Sequence, residues 1–167
     1  MTFFDKSIEH LTNLVEHEEF KKYVKKFNSH DRFILLGNGG SNAVAAHIAQ
    51  DFLSKHKIAL AVTDTAMLSC FANDFEYKNV FSKFLSHYAS FETFVIIISS
   101  SGNSENILEA IQFCEENKIS YGILTGFDSN NKARSKDKTY CCFDYHVDSH
   151  DYGVVECVHQ IFLHGIR

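Results

Sequence analysis

An α/β fold, with a parallel sheet between layers of helices, is predicted for this chain by three observations. Short apolar runs suited to buried strands recur at Phe33–Leu36, Ile58–Val62, Thr93–Ile98, Ile119–Leu124 and Tyr140–Phe143. Segments of helical period separate most of them. Two of the runs end in small polar turns that lead straight into a helix start, GNGGS at Gly37–Ser41 and SSSGNS at Ser99–Ser104. Strands that alternate with helices make a parallel sheet, and its ligands sit outside the C-terminal ends of the strands.

The elements follow in order. Apolar positions at Ile8, Leu11, Leu14, Val15, Phe20, Tyr23, Val24 and Phe27 predict one long amphipathic helix, or two short ones, over Asp5–Asn28. That segment should pack on the domain or on a partner subunit. Phe33–Leu36 is too short for a helix and is bounded by Gly37, so it reads as a buried strand. Ser41 is the expected N-cap of a helix from Asn42 to about Ser54. Ile58–Val62 is a second strand, Ala66–Ala72 a short helix, Asn73–Asp74 a turn and Tyr77–Tyr88 another helix. Thr93–Ile98 is β-branched and aromatic throughout. After the serine turn, Glu105–Asn117 reads as a helix and Ile119–Leu124 as a strand ending at Thr125-Gly126. Ser129–Lys138 reads as a loop with one helical turn, Tyr140–Phe143 as the last strand and Asp151–Arg167 as the last helix.

Composition narrows the function classes. The chain of 167 residues suits one domain with a real core. A formal net charge of −5, with no basic run, argues against a general nucleic-acid binder. No apolar stretch approaches the ~20 residues of a membrane span. MTFFDKSIEH lacks the pattern of a signal peptide, so a cytoplasmic location is expected. Five cysteines without CxxC spacing suit reduced core thiols rather than disulfides or a cysteine–zinc site.

The chemistry is expected at Arg32–Asp51. Glycines at 37, 39 and 40 let backbone amides approach a ligand, and the helix N-terminus that follows adds its dipole. This is an anion cradle, although a tight turn without a ligand would use the same residues. It matches neither GxGxxG nor a P-loop. His47 and Asp51 lie four apart on one helix face, which suits a metal or proton-transfer site. The serine turn repeats the arrangement with hydroxyl donors, suited to phosphate or sugar oxygens.

GNGGS and SSSGNS, with FANDF at Phe71–Phe75, LTG at Leu124–Gly126 and a His-bearing last helix, resemble the SIS (sugar isomerase) domain family. Within it the likeness is to the sedoheptulose 7-phosphate (phosphoheptose) isomerases, and it spans nearly the whole chain. The resemblance implies a single SIS domain over residues 1–167, in which residues 1–28 form a helical segment that packs in the oligomer. It implies a homotetramer with active sites between subunits, zinc or another divalent metal, and a role in lipopolysaccharide or capsule heptose synthesis. It also implies that Ser41, Ser99, Ser101 and Ser104 hold the phosphate, with Gly39 and Gly40 in the same turn. Asn38, Asp74, Ser100 and Glu156 would line the sugar. His47, Asp51, Glu156 and His164 would hold the metal, at the family's spacings of four and eight residues. Asp51 stands where the family has Glu, Glu156 where it has Gln, and Ser100 where it usually has Thr.

The activity this implies is aldose–ketose isomerisation of a phosphorylated sugar through an enediol. Asp51 would serve as base and His164 as its acid partner. A non-catalytic SIS module that binds a phosphosugar, or an adaptor for a replication initiator, is the alternative. Four retained ligand-type residues argue against it.

Overall fold

A computed structural model describes residues 2–12, 14–135 and 137–166. Asn13, Lys136 and Arg167, which fall in predicted segments, lie outside the described residues. Five parallel strands form the sheet: β1 (Arg32–Gly37), β2 (Ile58–Ala61), β3 (Thr93–Ser99), β4 (Tyr121–Gly126) and β5 (Cys141–Val147), in the order β2-β1-β3-β4-β5. Around it lie α1 (Phe3–Leu11), α2 (Glu18–Ser29), α3 (Gly40–Ser54), α4 (Thr65–Phe75), α5 (Val80–Tyr88), α6 (Glu105–Glu116) and α7 (Tyr152–His164).

Alternation along the strands builds two cores. Phe33 and Leu35 of β1 and Phe94, Ile96 and Ile98 of β3 face α2, α3 and α7. Ile34, Leu36, Val95 and Ile97 face α5 and α6 on the other side. β3 is central, and all seven of its residues are buried, which explains why its sequence is a continuous apolar run.

The N-terminal segment divides into two helices with a 3-10 turn, Leu14–Glu16, between them. Among the described residues of this segment the buried ones are Phe20, Tyr23 and Phe27 of α2, with Leu11 and Leu14 packed partly buried against the same core. The Tyr23 hydroxyl donates to the Leu163 carbonyl of α7 at 3.0 Å. No described residue of α1 is buried.

Two local expectations are corrected. Ser41 is not the N-cap: α3 begins at Gly40 and is capped by Gly39, whose φ of +54° and ψ of −122° suit only glycine. Ser41 instead lies buried in the first turn. Asn73 and Asp74 form no turn, because α4 continues through them to Phe75. The break comes one residue later at Glu76, which carries φ +67° and ψ 148°. β5 also runs on to Val147, beyond the predicted Phe143. Among the described residues, no helix is long and apolar enough to cross a membrane.

Candidate active site

β1 and β3 are neighbours at the point where strand order reverses, because β2 lies on one side of β1 and β3 on the other. A crevice opens at such a point, beyond the strands' C-terminal ends. Both polar turns lie there. Together they line a cavity of about 240 Å³ formed by Asn38, Gly39, Gly40, Ser41, Ser99, Ser100, Ser101, Ser104, Tyr152 and Glu156. The two turns that were separate in sequence therefore make one cradle.

The two helix N-termini at this cradle differ. At α3, the Glu156 carboxylate packs so closely on Gly40 that a side chain there would collide with both of its oxygens. A carboxylate therefore lies beside the first turn of that helix, where its dipole favours negative charge. At α6, the cap residue Ser104 makes no side-chain capping bond. The Ser100 hydroxyl is buried and has no partner among the described residues. Ser99 and Ser101 accept bonds from the amides of Gly102 (3.2 Å) and Asn103 (3.3 Å), which hold the serine turn in shape. Gly102 supplies the φ of +62° that this turn needs.

Further along α3, His47 and Asp51 meet His164 of α7. Ligand atoms of these three side chains lie within 4.8 Å of one another. His164 Nδ1 is 2.9 Å from Asp51 Oδ2, and the His47 and His164 rings are 5.1 Å apart. Two imidazoles and a carboxylate, partly open to solvent, are ligand types suited to a divalent metal ion. Glu156 is not in this group. Eight residues of helix separate it from His164, about 12 Å of rise, and its side chain turns to Gly40 in the cradle.

Other expected residues are placed as follows. Asp74 does not line the cradle. It lies exposed on α4, where it accepts from Cys70 Sγ at 3.4 Å and Asn73 Nδ2 at 2.8 Å. Asn38 does line the cradle, but most of its amide is engaged by Asn106 and Tyr77. His159 is fully buried beside the Thr125 carbonyl, with Nε2 3.0 Å away, and burial pulls its pKa down to about 4. Tyr152 lines the cradle and was not anticipated. The available signal was its position, directly after the Asp151 cap at the start of the last helix.

No family model matches the chain. Over 140 residues, which is 80% of the chain and 69% of the relative, it is 36% identical to a phosphoheptose isomerase of Aneurinibacillus thermoaerophilus. The chain belongs to the phosphoheptose isomerase family. The matched segment spans 53 to 69% of the length of the first four relatives. Among solved structures, phosphoheptose isomerase GmhA from Neisseria gonorrhoeae superposes with a TM-score of 0.84 at 26% identity, covering 97% of this chain and 92% of that one. A phosphoheptose isomerase from Francisella tularensis gives 0.86 over 98% and 91% at 21% identity, a likeness of fold. Membership and fold agree with the isomerase reading of the two turn motifs.

Proposed function

We propose that this protein is an aldose–ketose isomerase of a phosphorylated sugar, with sedoheptulose 7-phosphate and its manno-heptose isomer as the substrate pair. The observation that carries the reading is the shared placement of two sites along α3. An oxyanion cradle lies at its start, and a hydrogen-bonded His164–Asp51 pair lies three turns further in. An open-chain sugar bound at its phosphate end is thereby presented to groups that can move protons.

The phosphate belongs at the serine turn. There the α6 N-terminus is uncapped by a side chain and Ser100 has an uncommitted hydroxyl, whereas Glu156 takes the α3 terminus. Glu156 is suited instead to accept hydrogen bonds from sugar hydroxyls. Asp51 serves as the base that moves a proton between the first two carbons, and His164 exchanges protons with the oxygens. His47, Asp51 and His164 would hold a divalent ion, with zinc the expected metal. Such an ion supplies polarisation of the carbonyl.

Exposed apolar residues on the N-terminal segment support a homotetramer, whose active sites would lie between subunits as the family resemblance implies. Phe4, Ile8 and Val15 are 72%, 63% and 69% exposed, and Val15 lines an apolar groove with Leu14, Val24, Ile161 and Ile166. Sedimentation of a monomer at micromolar concentration would contradict that assembly. A cytoplasmic role in supplying heptose for surface polysaccharide is the setting that fits this activity. The deciding experiment is an assay of the purified, metal-supplemented protein against sedoheptulose 7-phosphate and other ketose phosphates. Turnover of none of them would overturn the proposal.

A further inference from the structure

The cradle is assembled from two turns on different strands, so something must hold those turns in register. Asn38, in the glycine turn after β1, and Asn106, in the first turn of α6, exchange a reciprocal pair of amide bonds. Asn38 Nδ2 donates to Asn106 Oδ1 at 2.9 Å, and Asn106 Nδ2 donates to Asn38 Oδ1 at 2.8 Å. Asn106 is 2% exposed, so its own amide has no water to fall back on. The Tyr77 hydroxyl donates to the same Asn38 oxygen at 3.0 Å. An amide oxygen has two lone pairs and an amide nitrogen two hydrogens. The Asn38 oxygen is thus saturated, and one Asn38 N–H is left over at the cavity wall.

We infer that Asn106 and Tyr77 are positioning residues for the phosphosugar site, acting through Asn38 without contacting the ligand. Their bonds fix the Asn38 rotamer, choose which amide hydrogen faces the cavity, and pin the glycine turn to the helix that follows the serine turn. The backbone supports this assignment. Glu76, the residue before Tyr77, carries φ +67° and ψ 148°, a region that side-chain-bearing residues rarely occupy. Such strain persists where surrounding contacts over-determine the conformation. The Tyr77 bond to Asn38 is one such contact.

This inference rests on the cradle being the phosphosugar site, and the test separates the two. Tyr77→Phe removes one bond from a half-exposed residue and leaves folding intact, whereas Asn106→Ala removes the buried pair. Each variant and the parent protein are titrated with inorganic phosphate and with sedoheptulose 7-phosphate by calorimetry, and KM and kcat are measured separately. Expected are sugar-phosphate affinities weaker by ~3-fold for Tyr77→Phe and ~10-fold or more for Asn106→Ala. KM should rise in step, and the Tm of Tyr77→Phe should stay at the parent value. A purely structural role would lower Tm and leave the KM of the folded protein unchanged. If Tyr77→Phe binds and turns over like the parent, and folded Asn106→Ala does too, the positioning role is wrong while the cradle stands. If the parent itself binds neither phosphate nor any sugar phosphate, the cradle reading fails and the positioning role with it.

Discussion

His164 and Asp51 are joined by a 2.9 Å contact between Nδ1 and Oδ2 that links α7 to α3. Both side chains remain about one-third exposed, at 37% and 33%. A pair so open to water contributes no more than about 1 kcal/mol to stability. Its worth lies in geometry, because it sets the proposed base beside its proposed acid partner.

Asp51→Asn keeps the shape of that contact and removes the proposed base. Activity should fall by about 10²-fold or more, the ordinary contribution of a positioned acid–base group, while stability changes by less than about 1 kcal/mol. His164→Ala should abolish activity as well and weaken metal retention, measured as metal content after dialysis. An Asp51→Asn protein with full turnover would transfer the role of base to Glu156.

Glu156 itself gives a contrasting expectation. Its carboxylate lies on Gly40 in the cradle, away from the three-residue group. Glu156→Gln preserves shape and hydrogen-bonding reach, so fold and part of the isomerase activity should persist. Metal content should be unchanged, unlike in His47→Ala. Loss of metal from Glu156→Gln would place Glu156 among the ligands after all.

The sheet was legible because its signals are local. A seven-residue strand buried on both faces must be apolar throughout, as Thr93–Ser99 nearly is. GNGGS and SSSGNS each announced a strand-to-helix turn from their small residues alone. What sequence could not supply was pairing across distance. Nothing near Asn106 indicates that it meets Asn38, 68 positions away. The family resemblance grouped Glu156 with His164 as metal ligands, yet the eight residues between them separate their side chains into different sites. The α3 start was misjudged because Ser41 is a good cap by type, while Gly39 alone can adopt the required backbone.

Stability should fall in mild acid because of His159. Burial lowers its pKa to about 4 in the folded protein, against about 6.5 when unfolded. Between these values the unfolded chain takes up a proton that the native chain refuses. Stability is therefore complete above about pH 6.5 and declines as pH falls toward 4, by about 3 kcal/mol for this group alone. His159→Gln should flatten that slope in urea denaturations run from pH 7 to pH 4. Equal slopes in parent and variant would remove His159 as the cause.

Glu76→Gly tests the strain beside Tyr77. Relief of an unfavourable backbone region is worth about 1–3 kcal/mol, and the flexibility glycine adds to the unfolded chain offsets about 0.5–1 kcal/mol of that. The Tm should hold or rise. A Tm several degrees lower would mean that Glu76 is not strained.

Ser100 yields a prediction in which stability and binding move oppositely. Its hydroxyl is buried without a partner among the described residues, and an unsatisfied buried polar group costs about 1–3 kcal/mol. Ser100→Ala deletes that group and adds nothing, so the ligand-free protein should unfold at the same or a higher urea concentration. If the hydroxyl is held in reserve for the phosphosugar, the same change removes one hydrogen bond from the complex. Affinity for sedoheptulose 7-phosphate should then drop by about 10-fold, the loss expected for a bond to a charged oxygen. Ser101→Ala serves as the comparison, since its oxygen already accepts the Asn103 amide and its loss should destabilise the turn. If Ser100→Ala lowers stability and leaves affinity untouched, the hydroxyl belongs to the fold and the phosphate must be held by the turn's backbone amides.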